Sequence, residues 1–232
     1  MSMPNEVVYP GNGTPARIYL QPIAAPSILG LYGFAGATFM VAANMAHWYG
    51  NANSAIYLAP FVLIFGGFAQ FLAGMWAFRA RDGVATAMHG MWGSFWIAYG
   101  ILQLMFASGR VAQPAGPFVE LGYWFIILAV ITWSGAYAAA AENKGLVLVL
   151  SFLAAGSTTT AIGELTGTEW LMILSGYLFM ISAVCAWYAA TALMVNEAQG
   201  REVMKVGKSP HVAAMPPVSI GTGEPGVIRG QA

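Results

Sequence analysis

The chain is 232 residues long, 58% hydrophobic and only 8% charged, with a formal net charge of zero and a mean hydropathy of +0.65. Soluble domains carry about 25% charged residues, so this composition cannot coat a water-facing surface and describes an integral membrane protein. Zero net charge gives no footing for a nucleic-acid partner, and the single cysteine, Cys185, excludes a disulfide framework or a cysteine metal cluster.

Residues 1–25 are polar and rich in Pro and Gly. They read as an N-terminal tail and lack the basic-then-apolar order of a cleavable leader. Six apolar segments follow, at Pro26 to His47, Ser54 to Phe78, Val84 to Ser108, Pro117 to Ala141, Gly145 to Thr166 and Trp170 to Val195. Each supplies the roughly 20 residues that a spanning helix needs. Short connections make consecutive helices antiparallel neighbours, so the fold class is an all-α membrane protein, a six transmembrane helix bundle over residues 26–196. Residues 197–232 turn polar and read as a disordered C-terminal tail.

The basic residues set the orientation. Arg17, Arg79, Arg81, Lys144, Arg201, Lys205, Lys208 and Arg229 fall in the tails and the even-numbered loops, against Arg110 alone on the other side. By the positive-inside rule both termini are cytoplasmic, in a multi-pass protein of the cell membrane.

The second segment contains Phe61 to Phe78, eighteen residues without a charge. Gly67, Gln70 and Gly74 share one helical face, with Gly66, Ala69 and Ala73 beside them, while Phe65, Phe68, Leu72 and Met75 point elsewhere. Small residues let neighbouring helix backbones approach closely, and an amide held in hydrocarbon needs a partner or a wet cavity. This helix therefore packs tightly and lines a path.

Helices one, three and five run in the same direction, so equal distance from their starts means equal depth. Phe34, Trp92 and Leu153 each lie eight residues past the start of their helix, at Pro26, Val84 and Gly145. At the helical rise that is about 12 Å in from the cytoplasmic ends. Gln70, eight residues before Phe78 on the inward-running second helix, falls at the same level. Two readings follow: a narrow apolar ring that strips water from a passing solute, or ordinary core and lipid-facing side chains. The other polar groups within the spans are Asn44, His47, His89, Gln103, Ser157, Thr158, Thr159, Thr160 and Glu164. Hydroxyls at such positions commonly bond back to their own helix. His89 reads as a structural histidine or a proton carrier, and Glu164 as a vestibule group or a solvated one. No mid-membrane Lys or Arg, nucleotide-binding glycine loop or catalytic constellation is present, so neither a cofactor, a metal nor an enzyme activity is expected. A largely neutral path suits a small solute that is neutral or briefly desolvated.

Four stretches resemble the acetate uptake transporter family, which includes bacterial acetate/succinate permeases and yeast acetate and ammonia-export relatives. They are Leu29-Gly30-Leu31-Tyr32-Gly33-Phe34, Phe65-Gly66-Gly67-Phe68-Ala69-Gln70-Phe71-Leu72-Ala73-Gly74, Gly93-Ser94-Phe95-Trp96, and Asn196-Glu197 with Gly200-Arg201. The resemblance runs from about Pro26 to Arg201. It implies a homo-hexamer of six-helix protomers in the lipid bilayer, each with its own path for acetate or a similar small carboxylate, acting as a channel or a proton symporter. It also implies that Phe34, Trp92 and Leu153 form the narrow apolar constriction. Gln70, Asn44, Thr158 and Thr159 are then the expected polar partners of the carboxylate.

Three departures from the family pattern stand out. The opening run is Ala24-Ala25-Pro26-Ser27-Ile28, without the family's asparagine and one of its prolines. Trp92 replaces a tyrosine, which adds bulk and favours acetate over succinate. Ala77 stands where many members carry a glutamate. The alternatives to a carboxylate path are a pore for small neutral solutes (urea, ammonia or undissociated acid) and a membrane metabolite sensor.

Overall fold

The structure is a computed structural model and describes residues 23–51 and 53–210. The expected tails at 1–22 and 211–232 lie outside the described residues. Six long helices follow in chain order: α1 Pro26–Met45, α2 Ser54–Ala80, α3 Gly83–Ala107, α4 Val119–Ala139, α5 Lys144–Thr166 and α6 Glu169–Gln199. Five of them (α1, α2, α4, α5 and α6) are each long and apolar enough to cross a membrane. α3 has the length, at 25 residues, but dilutes its apolar character with His89, Ser94 and Gln103.

Local chemistry places the helix ends. Pro26 opens α1, where its missing N–H costs nothing. Asp82 caps α3 by accepting from Ala85 N at 2.8 Å, and Asn143 caps α5 by accepting from Leu146 N at 2.9 Å. Gly167 and Gly200 close α5 and α6 in the left-handed region, at φ of 66° and 60°. α1 ends two residues before the expected His47 because His47 itself sits at φ 59°. α6 continues past the expected boundary at residue 196, and residues 201–210 fold back instead of leaving the bundle. The Asn196 side chain accepts from Val203 N and Met204 N and donates to Met204 O, which turns the chain. The returning segment then bonds across the α4–α5 turn, with Lys144 N donating to Gly207 O, Gly145 N to Val206 O and Ser209 N to Glu142 O.

α2 departs from a regular helix. Its middle, Val62–Ala69, has π-helical bonding, just after Pro60, which supplies no N–H. The wider turn keeps Val62, Gly66, Gly67 and Gln70 together on the buried side. Phe65, Phe68, Leu72 and Met75 are all exposed on the outside, where lipid would meet them. Close approach on the inner side is literal. A Cβ on Gly93 would lie 2.5 Å from Phe71 N, and one on Gly74 would lie 2.6 Å from Gly90 N. The backbones of α2 and α3 thus cross in direct contact, as small residues allow in a membrane.

α1 packs on α2, α2 on α3, α4 on α5, α5 on α6 and α6 on α1. That ring of contacts leaves α5 facing α1 and α3 across the bundle interior.

Candidate functional site

The interior faces of α1, α3 and α5 carry parallel stripes with a helical repeat. From the end that bears Arg81 and Lys144, α1 presents Ser27, Leu31, Phe34, Thr38, Val41 and Met45. α3 presents Ala85, His89, Trp92, Trp96, Tyr99 and Gln103, and α5 presents Leu146, Leu150, Leu153, Thr160 and Glu164. These stripes enclose two cavities. The inner one, of about 40 Å³, lies toward Asp82 and Glu142. The outer one, of about 210 Å³, lies toward Asn44, Phe118 and Glu164.

Phe34, Trp92 and Leu153 are each 2% exposed and belong to one packed core cluster. All three line the inner cavity, and Trp92 and Leu153 also line the outer one. The Phe34 and Trp92 rings meet edge to face, with centroids 6.4 Å apart and planes at 67°. Phe95 extends the aromatic wall, its ring 5.4 Å from Trp92. Trp92 Nε1 donates to Thr132 Oγ1 on α4 at 3.1 Å.

Among the described residues, four buried side-chain polar atoms have no hydrogen-bond partner: Thr38 Oγ1, Gln70 Oε1, His89 Nδ1 and Trp96 Nε1. All four residues line the cavities, Gln70 and His89 the inner one, Thr38 and Trp96 the outer one. Buried polar groups in proteins are almost always paired, and these four are left for water or solute in the cavities to pair. The unpaired polar atoms thus lie on both sides of Phe34, Trp92 and Leu153. Thr38 Oγ1 and Trp96 Nε1 can donate to an anion, whereas Gln70 Oε1 only accepts and calls for a donor such as water.

The expected polar residues divide. Gln70 lies beside Phe34 on the inner cavity. Asn44 lines the outer cavity, ten residues beyond Phe34, and its Nδ2 is engaged by Tyr49 O at 3.0 Å. That puts it about 15 Å along α1 from Phe34, not beside it. Glu164 also lines the outer cavity, where Oε2 accepts from Phe118 N at 3.3 Å. His89 lines the inner cavity, with Nε2 3.4 Å from Ser27 Oγ.

Thr158 and Thr159 are turned away from both cavities and brace helices instead. Thr158 Oγ1 donates to Ala154 O and accepts from Trp133 Nε1, while Thr159 Oγ1 meets Ser175 Oγ at 2.7 Å. The threonine that reaches the outer cavity is Thr160, seven residues and two turns after Leu153. Thr38 and Trp96 were equally legible, one turn beyond Phe34 and Trp92 on the same stripes. Asp82 and Glu142 were not, because the inner cavity joins two separate turns of the chain. Burial, followed by the Asp82 carboxylate, pushes the Glu142 carboxyl from 4.5 up to about 7.

Residues 10–210 match the GPR1/FUN34/yaaH family. The chain is 28% identical over 189 residues to the succinate-acetate/proton symporter SatP of Escherichia coli (strain K12), covering 81% of this chain and 97% of that protein. It is 26% identical over 187 residues to ammonia transport outward protein 3 of Saccharomyces cerevisiae, covering 79% of this chain and 67% of that one. Its fold is similar to that of the bacterial acetate channel SatP, with a TM-score of 0.73 at 24% identity, over 80% of this chain and all of that one.

Proposed function

The chain belongs to the GPR1/FUN34/yaaH family, and from that premise we propose that it is a membrane channel or proton-linked transporter for acetate and other short carboxylates. It works as a transporter in the cell membrane and not as an enzyme. α3 crosses the bilayer with the other five helices, its His89 and Gln103 side chains turned to the path. Phe34, Trp92 and Leu153 form the selecting collar. A carboxylate exchanges water for the Thr38 hydroxyl and the Trp96 N–H on one side, passes the collar, and meets the Gln70 amide on the other. Each protomer holds its own path, and six protomers assemble into a hexamer.

The observation that carries this reading is the arrangement of an apolar collar between two cavities whose walls hold all four orphaned polar atoms. The weakly polar walls fit a transit site, because conduction needs binding loose enough to release. Trp92→Ala in proteoliposomes should raise butyrate uptake relative to acetate by about tenfold, the scale on which an apolar pocket discriminates by methylenes. Unchanged selectivity would remove Trp92 from the path.

A second reading, a pore for ammonia or another small neutral solute, draws on the uncharged collar and on the name of the yeast relative. Labelled methylammonium outpacing labelled acetate in the same vesicles, with and without a proton gradient, would favour it.

A further inference from the structure

We propose that Thr132, outside both cavities on α4, is a specificity-determining residue that latches the Trp92 indole in the collar-closing position. This inference rests on the reading of Phe34, Trp92 and Leu153 as the selecting collar.

The contacts around Trp92 differ in how much direction they impose. Phe34 and Phe95 meet it edge to face, at centroid distances of 6.4 and 5.4 Å. Such contacts tolerate a range of ring angles and hold an indole only loosely. The N–H is different. It is a single donor on a side chain that is 2% exposed, and its bond to Thr132 Oγ1 at 3.1 Å is the one polar contact it makes.

The acceptor is itself fixed. Thr132 is fully buried, and its hydroxyl hydrogen is committed to Leu128 O one turn back, at 2.6 Å. With that proton placed, the remaining lone pairs point in set directions, and one receives the indole. Thr132 therefore acts as an oriented acceptor and not as a rotor that follows the ring. Among the described residues this is the one side-chain hydrogen bond between α3 and α4.

Space makes the latch matter. Trp92 borders open volume on both sides, about 40 Å³ inward and about 210 Å³ outward. Released from Thr132, the indole has somewhere to swing. Swinging into either space withdraws it from Phe34 and widens the collar. While latched, the indole would have to leave a buried N–H unpaired to move, and burial makes that unfavourable. Trp92 supplies the bulk of the collar, and Thr132 decides where the bulk sits.

The test compares uptake of labelled acetate and butyrate into proteoliposomes holding equal amounts of each variant. Thr132→Val keeps the shape and removes the acceptor, and should raise the butyrate-to-acetate ratio about fivefold, the scale of one net hydrogen bond. Thr132→Ser keeps the acceptor and should restore the ratio close to that of the parent protein. In a Trp92→Phe background, which has no N–H, Thr132→Val should add no change. If Thr132→Val does not accumulate in the membrane, Thr132→Ala carries the same test. An unchanged ratio in Thr132→Val alongside a changed one in Trp92→Ala overturns the latch and leaves the collar standing. An unchanged ratio in both overturns the collar, and the latch with it. A shift that Thr132→Ser fails to reverse, or that persists in Trp92→Phe, also overturns the latch.

Discussion

Glu142 and Asp82 reach the wall of the inner cavity from two different turns, with His89 on the same wall and Lys144 two residues further along the chain. Among the described residues the one ion pair, Lys208 with Glu202 at 3.8 Å, lies in the returning segment and does not involve Glu142. Burial first, and Asp82 second, raise the Glu142 carboxyl to about 7. Because the folded pKa lies above the unfolded value of 4.5, the fold favours the protonated acid. Its contribution to stability is complete below about 4.5 and is lost as pH rises through about 7. The melting temperature in detergent should therefore fall between roughly pH 5 and pH 8, and Glu142→Gln should flatten that fall. An identical profile in the variant would assign the pH dependence to another group.

At the scale of single helices, α3 carries two demands that pull its composition apart. One side presents His89, Trp92, Trp96 and Gln103 to the cavities, and the other holds glycines against the backbone of α2. A helix serving both cannot be uniformly apolar, which is why its hydropathy trails that of its neighbours. The α2 contact leaves no room for a methyl group. Gly93→Ala would set a Cβ 2.5 Å from Phe71 N, and backbone cannot move aside as a flexible side chain can. Thermal unfolding of the purified protein should show a loss of about 1–3 kcal/mol, the usual result of overpacking. Gly109→Ala is no control, since Gly109 sits at φ 68°; Gly90→Ala, with open space around its would-be Cβ, should be close to neutral.

For the whole molecule, the up-and-down order of six helices places the α3–α4 loop on one side and the α4–α5 turn with residues 201–210 on the other. The basic residues of the described chain divide in the same way, with Arg110 apart from Arg79, Arg81, Lys144, Arg201, Lys205 and Lys208. An impermeant maleimide should label Arg110→Cys in intact cells and label Lys205→Cys only after permeabilisation. The native Cys185 lies within α6, only partly exposed, and should add little background. The reverse labelling pattern would invert the orientation and exchange the two cavities between cytoplasm and exterior.

Membrane residence and the succession of long apolar helices were legible from residue order alone, as was the equal count that sets Phe34, Trp92 and Leu153 from the starts of their helices. Each depends on position along a helix axis, and the helical rise turns residue counts directly into depth. Rotation about those axes was harder to read. Thr158, Thr159 and Thr160 are consecutive, yet only Thr160 turns to a cavity, because each residue advances about 100° around the helix and the packing of α5 against α4 and α6 selects the face. Partners on separate helices were beyond reach. Neither Thr132 with Trp92, forty residues apart, nor Asp82 with Glu142, sixty apart, leaves any mark in local sequence. The chain specifies depth through a local repeat, whereas the facing of one helix toward another comes from packing the entire bundle at once.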